Sequence, residues 1–209
     1  MKKFGFTLAE VLITLAIIGV VAVLTLPALM NNVGEQQYTS GLKKGINTLS
    51  EAGQMSHALD GFSYDDVTAN SATNQTAANE GGARSLYGIL LGRVQIDESS
   101  TNQQGANLNM GTFTIGTGNF AIFMRDGSIL QYNPSESSQT IASDGHIDGI
   151  RAVLDVNGLK GPNMSSTCGA TEGTECTNQN KSIKDQFPII IRDNYARPNN
   201  NAGRYAIMH

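Results

Sequence analysis

Lys2-Lys3-Phe4-Gly5-Phe6-Thr7-Leu8-Ala9-Glu10 leads into a run from Val11 to Met30 that has no charged side chain. From Phe6 to Met30 is 25 residues, about 37 Å as α-helix, enough to cross a bilayer with some tilt. Lys2 and Lys3 ahead of it favour a cytoplasmic N-terminus and export of everything downstream. A plain signal anchor or a cleaved secretory signal is the alternative. The run exceeds the roughly 7–15 apolar residues of a secretory signal. Glu10 also interrupts it at its start, where such a signal gains nothing from an acid.

An unpaired carboxylate at the edge of hydrocarbon costs on the order of 2–3 kcal/mol, less near the interface. The helix N-terminus offsets a little of this. The rest calls for a partner. The short basic leader, the Gly5-Phe6 junction and the acid five residues after Gly5 resemble the N-terminus of the type IV pilin and pseudopilin family, over Lys2 to about Met30. That resemblance implies a prepilin peptidase cut between Gly5 and Phe6, methylation of the new Phe6 amine, and assembly of the mature chain into a helical filament. It also implies that Glu10 meets the Phe6 amine of a neighbouring subunit, a pairing strengthened by low dielectric. Pilins typically carry a proline at the depth of Pro27, which removes an i→i−4 hydrogen bond and kinks or locally melts the helix. Gly19 and Pro27 are both tolerated better in membrane helices than in soluble ones.

Length fits one globular domain plus an anchor. Among 209 residues there are 14 Lys and Arg against 18 Asp and Glu. Loss of residues 1–5 would leave 12 basic against 18 acidic side chains, no electrostatic footprint for nucleic acid. Trp is absent, aromatics are sparse, and Gly, Asn, Ser and Thr abound, a composition suited to a small β-rich domain with long polar loops. Cys168 and Cys176 are the only cysteines. Outside the cytoplasm such a near pair reads as a disulfide, closing a loop that removes roughly 2.5 kcal/mol of unfolded-state entropy. No neighbouring His supports a metal alternative, and no cofactor is expected.

Beyond Pro27, Tyr38, Leu42, Ile46, Leu49, Ala52, Met55 and Leu59 recur at gaps of three and four, the apolar stripe of an amphipathic helix. Asp60-Gly61 is the expected stop. Gly34, Gly41, Gly45 and Gly53 weaken that helix, so packing must hold it. Residues 63–82 read as a surface loop, and Ala83 to Val94 as a short second helix. After Gly105 the period becomes two. Strands are expected at Asn109–Ile115, Asn119–Arg125, Ser128–Tyr132, Ile150–Val156 and Phe187–Arg192, with Tyr205–Met208 as a last candidate. Asp126-Gly127 signals a type I′ hairpin. Residues 133–146 and 194–203 read as polar loops. The expected fold is α+β and pilin-like, a long N-terminal helix, membrane-spanning in its first half, packed on an antiparallel sheet with long loops. Its parts are a leader at 1–5, a membrane and filament-core helix at 6–30, an amphipathic continuation at 31–61 and a β-rich exported domain at 62–209.

Asp155-Val156-Asn157-Gly158-Leu159-Lys160-Gly161-Pro162-Asn163, followed by Lys184-Asp185-Gln186-Phe187, resembles a C-terminal signature of many bacterial pilin-like proteins. Here residues 164–183 separate its two halves, leaving open whether Asp155 and Asp185 meet. Some secretion pseudopilins bind calcium in this part of the fold, and Asp155, Asn157, Asp185 and a loop carbonyl are hard oxygen donors. The acids and terminal Glu of an EF-type loop are missing. Asx turns at Asp155 and Asn157, with Gly158 at positive φ, account for the same residues.

His57, His146 and His209 stand apart in sequence, and no zinc-protease, Walker or nucleophile-elbow motif is present. Gly116 to Ala121 loosely matches a dinucleotide loop but lies between strand-like runs, where a hairpin turn fits better. Asn74, Asn163 and Asn180 head glycosylation-type triplets that Asn-rich loops produce by chance. The expected role is therefore structural and not enzymatic: a pilin or type II secretion pseudopilin. Its partners would be other pilin-like subunits, prepilin peptidase and an inner-membrane assembly platform. The subunit would sit in the bacterial inner membrane first and in a periplasmic or surface filament, a fimbrium, afterwards. The competing class is a membrane-anchored periplasmic binding or adhesive protein that does not polymerise.

Overall fold

The computed structural model describes Gly5 and residues 7–67, 85–97, 120–132, 140–141, 147–169 and 174–209. Helix α1 (Leu8–Asp60) contributes to two compact units, residues 1–37 and 38–209. In the first unit, α1 carries no charged side chain from Val11 to Met30. Leu8–Leu26 is long and apolar enough to cross a membrane, and none of that stretch is buried within the chain. The hydroxyls of Thr14 and Thr25 bond back to the carbonyls of Val11 and Val21, so these polar atoms need no outside partner.

In the second unit the same helix is one-sided. Leu42, Ile46, Leu49 and Ala52 are buried, as the stripe requires, but Met55 and Leu59 are 51% and 77% exposed. Ser56 is buried in their place. Steps of three and four from Leu49 through Ala52 reach Ser56, whereas Met55 falls one position off that face. The helix glycines have a packing role that propensity does not suggest. A Cβ on Gly41 would lie 2.8 Å from Cβ of Val156, and one on Gly45 or Gly53 would overlap Leu154 or Tyr64. Small residues here let the helix backbone approach the sheet closely.

α1 stops at Asp60, which pairs with Arg93. A 3-10 turn at Tyr64–Asp66, capped by Ser63, follows. The Tyr64 hydroxyl donates to the Leu49 carbonyl at 2.6 Å, and its N–H to the Asp193 carbonyl at 2.8 Å. That residue therefore ties α1 to the sheet. Helix α2 (Leu86–Leu90), N-capped by Ser85, is shorter than the Ala83–Val94 pattern. Residues 83 and 84 lie outside the described residues.

A five-stranded antiparallel sheet has the order β1-β2-β5-β8-β9, from β1 (Phe120–Phe123), β2 (Ile129–Tyr132), β5 (Ile150–Asp155), β8 (Gln186–Arg192) and β9 (Tyr195–Pro198). Two short pairs accompany it, β3 (Thr140–Ile141) with β4 (Ile147–Asp148), and β6 (Thr167–Cys168) with β7 (Lys181–Ser182). Alternate residues of the large sheet, Phe120, Ile122, Leu130, Tyr132, Ile150, Ala152, Leu154, Phe187, Ile189 and Ile191, join the α1 stripe in one core. This is the α+β arrangement expected from the sequence. The strand expected at Asn109–Ile115, the loop at 68–82 and residues 116–119 lie outside the described residues.

Two local expectations are corrected. The β1–β2 hairpin forms, but its turn is not type I′, which needs positive φ at both central residues. Gly127 has φ +92° and Asp126 does not have positive φ; Gly127 N–H bonds to Met124 O and Met124 N–H to Ser128 O. Those bonds describe a three-residue loop with Gly127 in the left-handed position. At the C-terminus, residues expected as polar loop form β9 instead. Tyr205–Met208, expected as strand, belongs to helix α3 (Asn201–Met208). The Asn200 side chain caps that helix, and Ala202 and Ala206 are buried at helical spacing.

Candidate functional site

At the amino-terminal end, Glu10 is not a bare acid in the first turn. Its Oε2 accepts from the Thr7 N–H at 2.8 Å and from the Thr7 hydroxyl at 2.8 Å, while the Glu10 N–H donates to Thr7 Oγ1 at 3.3 Å. This is a reciprocal capping box, Thr7 at the cap and Glu10 three residues on. Among the described residues these bonds all use Oε2, leaving Oε1 without a partner. Thr7 is the residue that sequence reasoning missed. Its signal, Thr-x-x-Glu ahead of an apolar run, was legible. Gly5 is exposed with nothing within 4 Å of its Cβ position, and Phe6 lies outside the described residues. α1 runs through Pro27 without a break, so the proline does not melt the helix.

The second cluster is the acidic loop after β5. Its two halves do meet: the Val156 N–H donates to the Asp185 carbonyl at 3.0 Å, and Asp155 stands opposite Gln186 in the β5–β8 register. Asp155 and Asp185 are both fully buried. Each of their four carboxylate oxygens accepts from the protein. Asp155 takes the Asn157 N–H at 3.2 Å and the Gln186 side-chain amide at 3.1 Å. Asp185 takes the backbone N–H groups of Asn163 at 2.7 Å and Met164 at 2.9 Å. Asn157 donates to the Gly161 carbonyl, and the Asn163 amide faces the carbonyls of Gly158 and Lys160. Gly158 has φ +67°, which its missing Cβ allows. The signature residues thus close the loop on itself, Asp155 through the expected Asx turn.

Burial, and then the nearby Asp185 charge, push the Asp155 carboxyl up to about 7. The half-buried Tyr38 of α1 faces the same pair, and burial together with the two carboxylates raises its phenol. A calcium cage takes six to eight oxygens. No group of three His, Cys, Asp or Glu side chains suited to a metal occurs among the described residues, and both acids are already engaged. The donor set fits a loop clamp rather than a metal cage. Beside the loop is a cleft of about 810 Å3, lined among others by Asp97, Phe123, Arg125, Asp126 and Lys160. Cys168 and Cys176 form a disulfide with Cα atoms 5.1 Å apart. His57 and His209 are exposed, and His146 lies outside the described residues.

The capping box and the exposed apolar helix stand where a recognised pattern lies. Residues 1–26 match the prokaryotic N-terminal methylation motif. That motif is the signature of type IV pilins and pseudopilins, and it supports a pilin-like or pseudopilin precursor with a structural role. The motif and the apolar helix together fit membrane anchoring. No curated protein and no solved structure matches the chain.

Proposed function

We propose that this chain is a subunit of a type IV pilus or type II secretion-like filament. In this reading prepilin peptidase cuts between Gly5 and Phe6, the Phe6 amine is methylated, and residues 6–30 polymerise into the filament core. The observation that carries it is the methylation motif on a helix, Leu8–Leu26, none of which is buried within its own chain. So much uncovered apolar surface calls for lipid first and neighbouring helices afterwards. Extraction from the membrane then exchanges one apolar environment for another, leaving packing and charge pairing as the driving terms. Glu10 supplies the pairing. Thr7 fixes its rotamer through Oε2, and Oε1 is turned over to the Phe6 amine of the next subunit. Any other register strands a charge in a medium of low dielectric. The globular unit, residues 38–209, stays in the periplasm or on the filament surface, and the assembly platform lies in the inner membrane.

Glu10→Ala tests this. A pair worth about 1.4 kcal/mol per contact shifts each addition step about tenfold, so filaments should be lost while processing and membrane insertion persist. Equal assembly with and without the acid would refute the role of Glu10. The intact mass of native protein tests the rest: loss of residues 1–5 and gain of one methyl group are expected. A native chain still beginning at Met1 would leave the tethered, non-polymerising protein as the better reading.

A further inference from the structure

We propose that the loop closed by Asp155 and Asp185 is a lipid-contacting tip: Lys160 and Arg125 take the phosphate of an anionic phospholipid headgroup, and Leu159 enters the layer beneath it. This rests on the membrane anchoring of the proposed function and is independent of polymerisation.

The loop lies at the end of the sheet unit where the chain arrives from the apolar helix. Tyr38, the first residue of that unit, faces the Asp155–Asp185 pair. Further along α1, Gly41 lies against Val156 and Gly45 against Leu154. β5 therefore runs back toward Tyr38 and opens into the loop there. Only residues 31–37 separate Tyr38 from Met30, where the charge-free run ends. As helix they span about 12 Å, and the headgroup layer occupies about 5–7 Å on each side of the hydrocarbon. A tip at this end of the unit is on a short tether to that layer.

The clamp decides which side chains face outward. Asp185 holds the N–H groups of Asn163 and Met164, and the amides of Asn157 and Asn163 reach the carbonyls of Gly158, Lys160 and Gly161. With these groups turned inward, the loop leaves Leu159 63% and Met164 52% exposed, with Lys160 exposed beside Leu159. A single exposed leucine is ordinary. Two apolar side chains and a lysine on a loop held shut suit an interface, with the apolar atoms below and the ammonium among the headgroups.

The β1–β2 turn completes the site. A Cβ on Gly158 would overlap the Gly127 carbonyl, so turn and loop pack against each other. The cleft of about 810 Å3 there has Arg125 and Lys160 as its cations and Phe123, Ile129 and Leu159 among its apolar lining. That volume suits a small ligand, and Arg and Lys are the side chains that recognise phosphate. Two acids also line it. Asp126 is paired with Lys44 at 2.8 Å, and the two cations outnumber Asp97.

The test uses the full-length chain in phospholipid nanodiscs. The sequence has no Trp, so Leu159→Trp adds a single fluorophore to the loop. Tyr195→Trp adds one toward the other end of the unit, where Ala196 of β9 bonds to Ser50 of α1. Phosphatidylcholine with a spin-labelled headgroup quenches a fluorophore at the membrane surface. Adding phosphatidylglycerol should increase quenching in Leu159→Trp and leave Tyr195→Trp unchanged. Lys160→Gln in the Leu159→Trp chain should lower the ratio of bound to free tip about fivefold. In the wild-type chain, deuterium exchange at residues 158–161 should slow when phosphatidylglycerol is added. A chain that does not enter the discs would defeat the anchoring reading, and the tip with it. A chain that enters them would overturn the tip alone if Leu159→Trp is quenched no more than Tyr195→Trp, or equally with and without phosphatidylglycerol.

Discussion

The two halves of α1 answer the same question differently. Residues 8–26 leave Leu12, Ile13, Leu15, Ile17 and Ile18 about 60% exposed within the chain, while residues 42–52 bury every apolar stripe position. Glycine separates them most sharply. A Cβ on Gly19 would meet nothing within 4 Å, whereas one on Gly53 would overlap the Tyr64 ring and lie 3.1 Å from backbone at Asn194. The first half leaves its apolar surface uncovered within the chain, and the second has found its partner in its own sheet. A hydrophobic helix is thus not one kind of object; its function depends on where the matching surface is.

Alanine at the two glycines should break this contrast most strongly. Gly53→Ala forces Tyr64 away from a contact that its hydroxyl bond to Leu49 holds in place. Overpacking of this kind costs about 3 kcal/mol, measured as a lower urea midpoint of the sheet unit. Gly19→Ala should leave that midpoint unchanged. If it nevertheless impairs filament growth, the defect reports packing by a neighbouring subunit. Equal midpoints for the two variants would remove the close-approach argument for Gly53.

The acids give the next largest effect. Asp155 is buried beside Asp185, and its carboxyl is pushed up to about 7, well above an unfolded value near 4. A group whose folded value is raised binds its proton more tightly in the native state. Its stabilisation is complete below about pH 4 and is lost as pH rises toward 7. Between pH 5 and 7 the sheet unit should lose about 2 kcal/mol from this group. Asp155→Asn should flatten that slope, since Gln186 need only turn its amide over to present Oε1, which has no hydrogen-bond partner. A wild-type midpoint that rises over this range would contradict the assignment.

How far the sequence could be read follows the same divide. Periodicity marked α1, which buries one face of its repeat, while turn residues and short apolar runs marked the β1–β2 hairpin, β5 and β8, strands buried on both faces. The acidic loop was legible as a motif but not as a contact. Twenty residues intervene between Asn163 and Lys184, and the β5–β8 register together with the backbone bonds to Asp185 brings the two halves together. Met55 misled because apolar character alone cannot distinguish the last turn of a stripe from its edge. The C-terminal helix misled for the opposite reason. Ala202 and Ala206 bury too little surface to create a pattern, and its cap, Asn200, looks like any other Asn in a polar tail. Thr7 is hard to read because Glu10 carries two signals at once, a charge at the edge of an apolar run and the last position of a four-residue cap.

That cap supplies the smallest effect and the one most specific to the first half of α1. Thr7→Ala removes the hydroxyl that donates to Glu10 and accepts its N–H, which at an N-cap costs about 1 kcal/mol. The loss falls on the first turn alone, so faster amide exchange at residues 8–11 in micelles is expected, with no change in the melting of residues 38–209. Thr7→Ser retains the hydroxyl and should restore slow exchange. If Thr7 orients Glu10 for an amine on the next subunit, Thr7→Ala should also weaken assembly less than Glu10→Ala does, because the charge remains and only its rotamer is freed. Assembly lost equally in both variants would instead make the hydroxyl a direct participant at the interface.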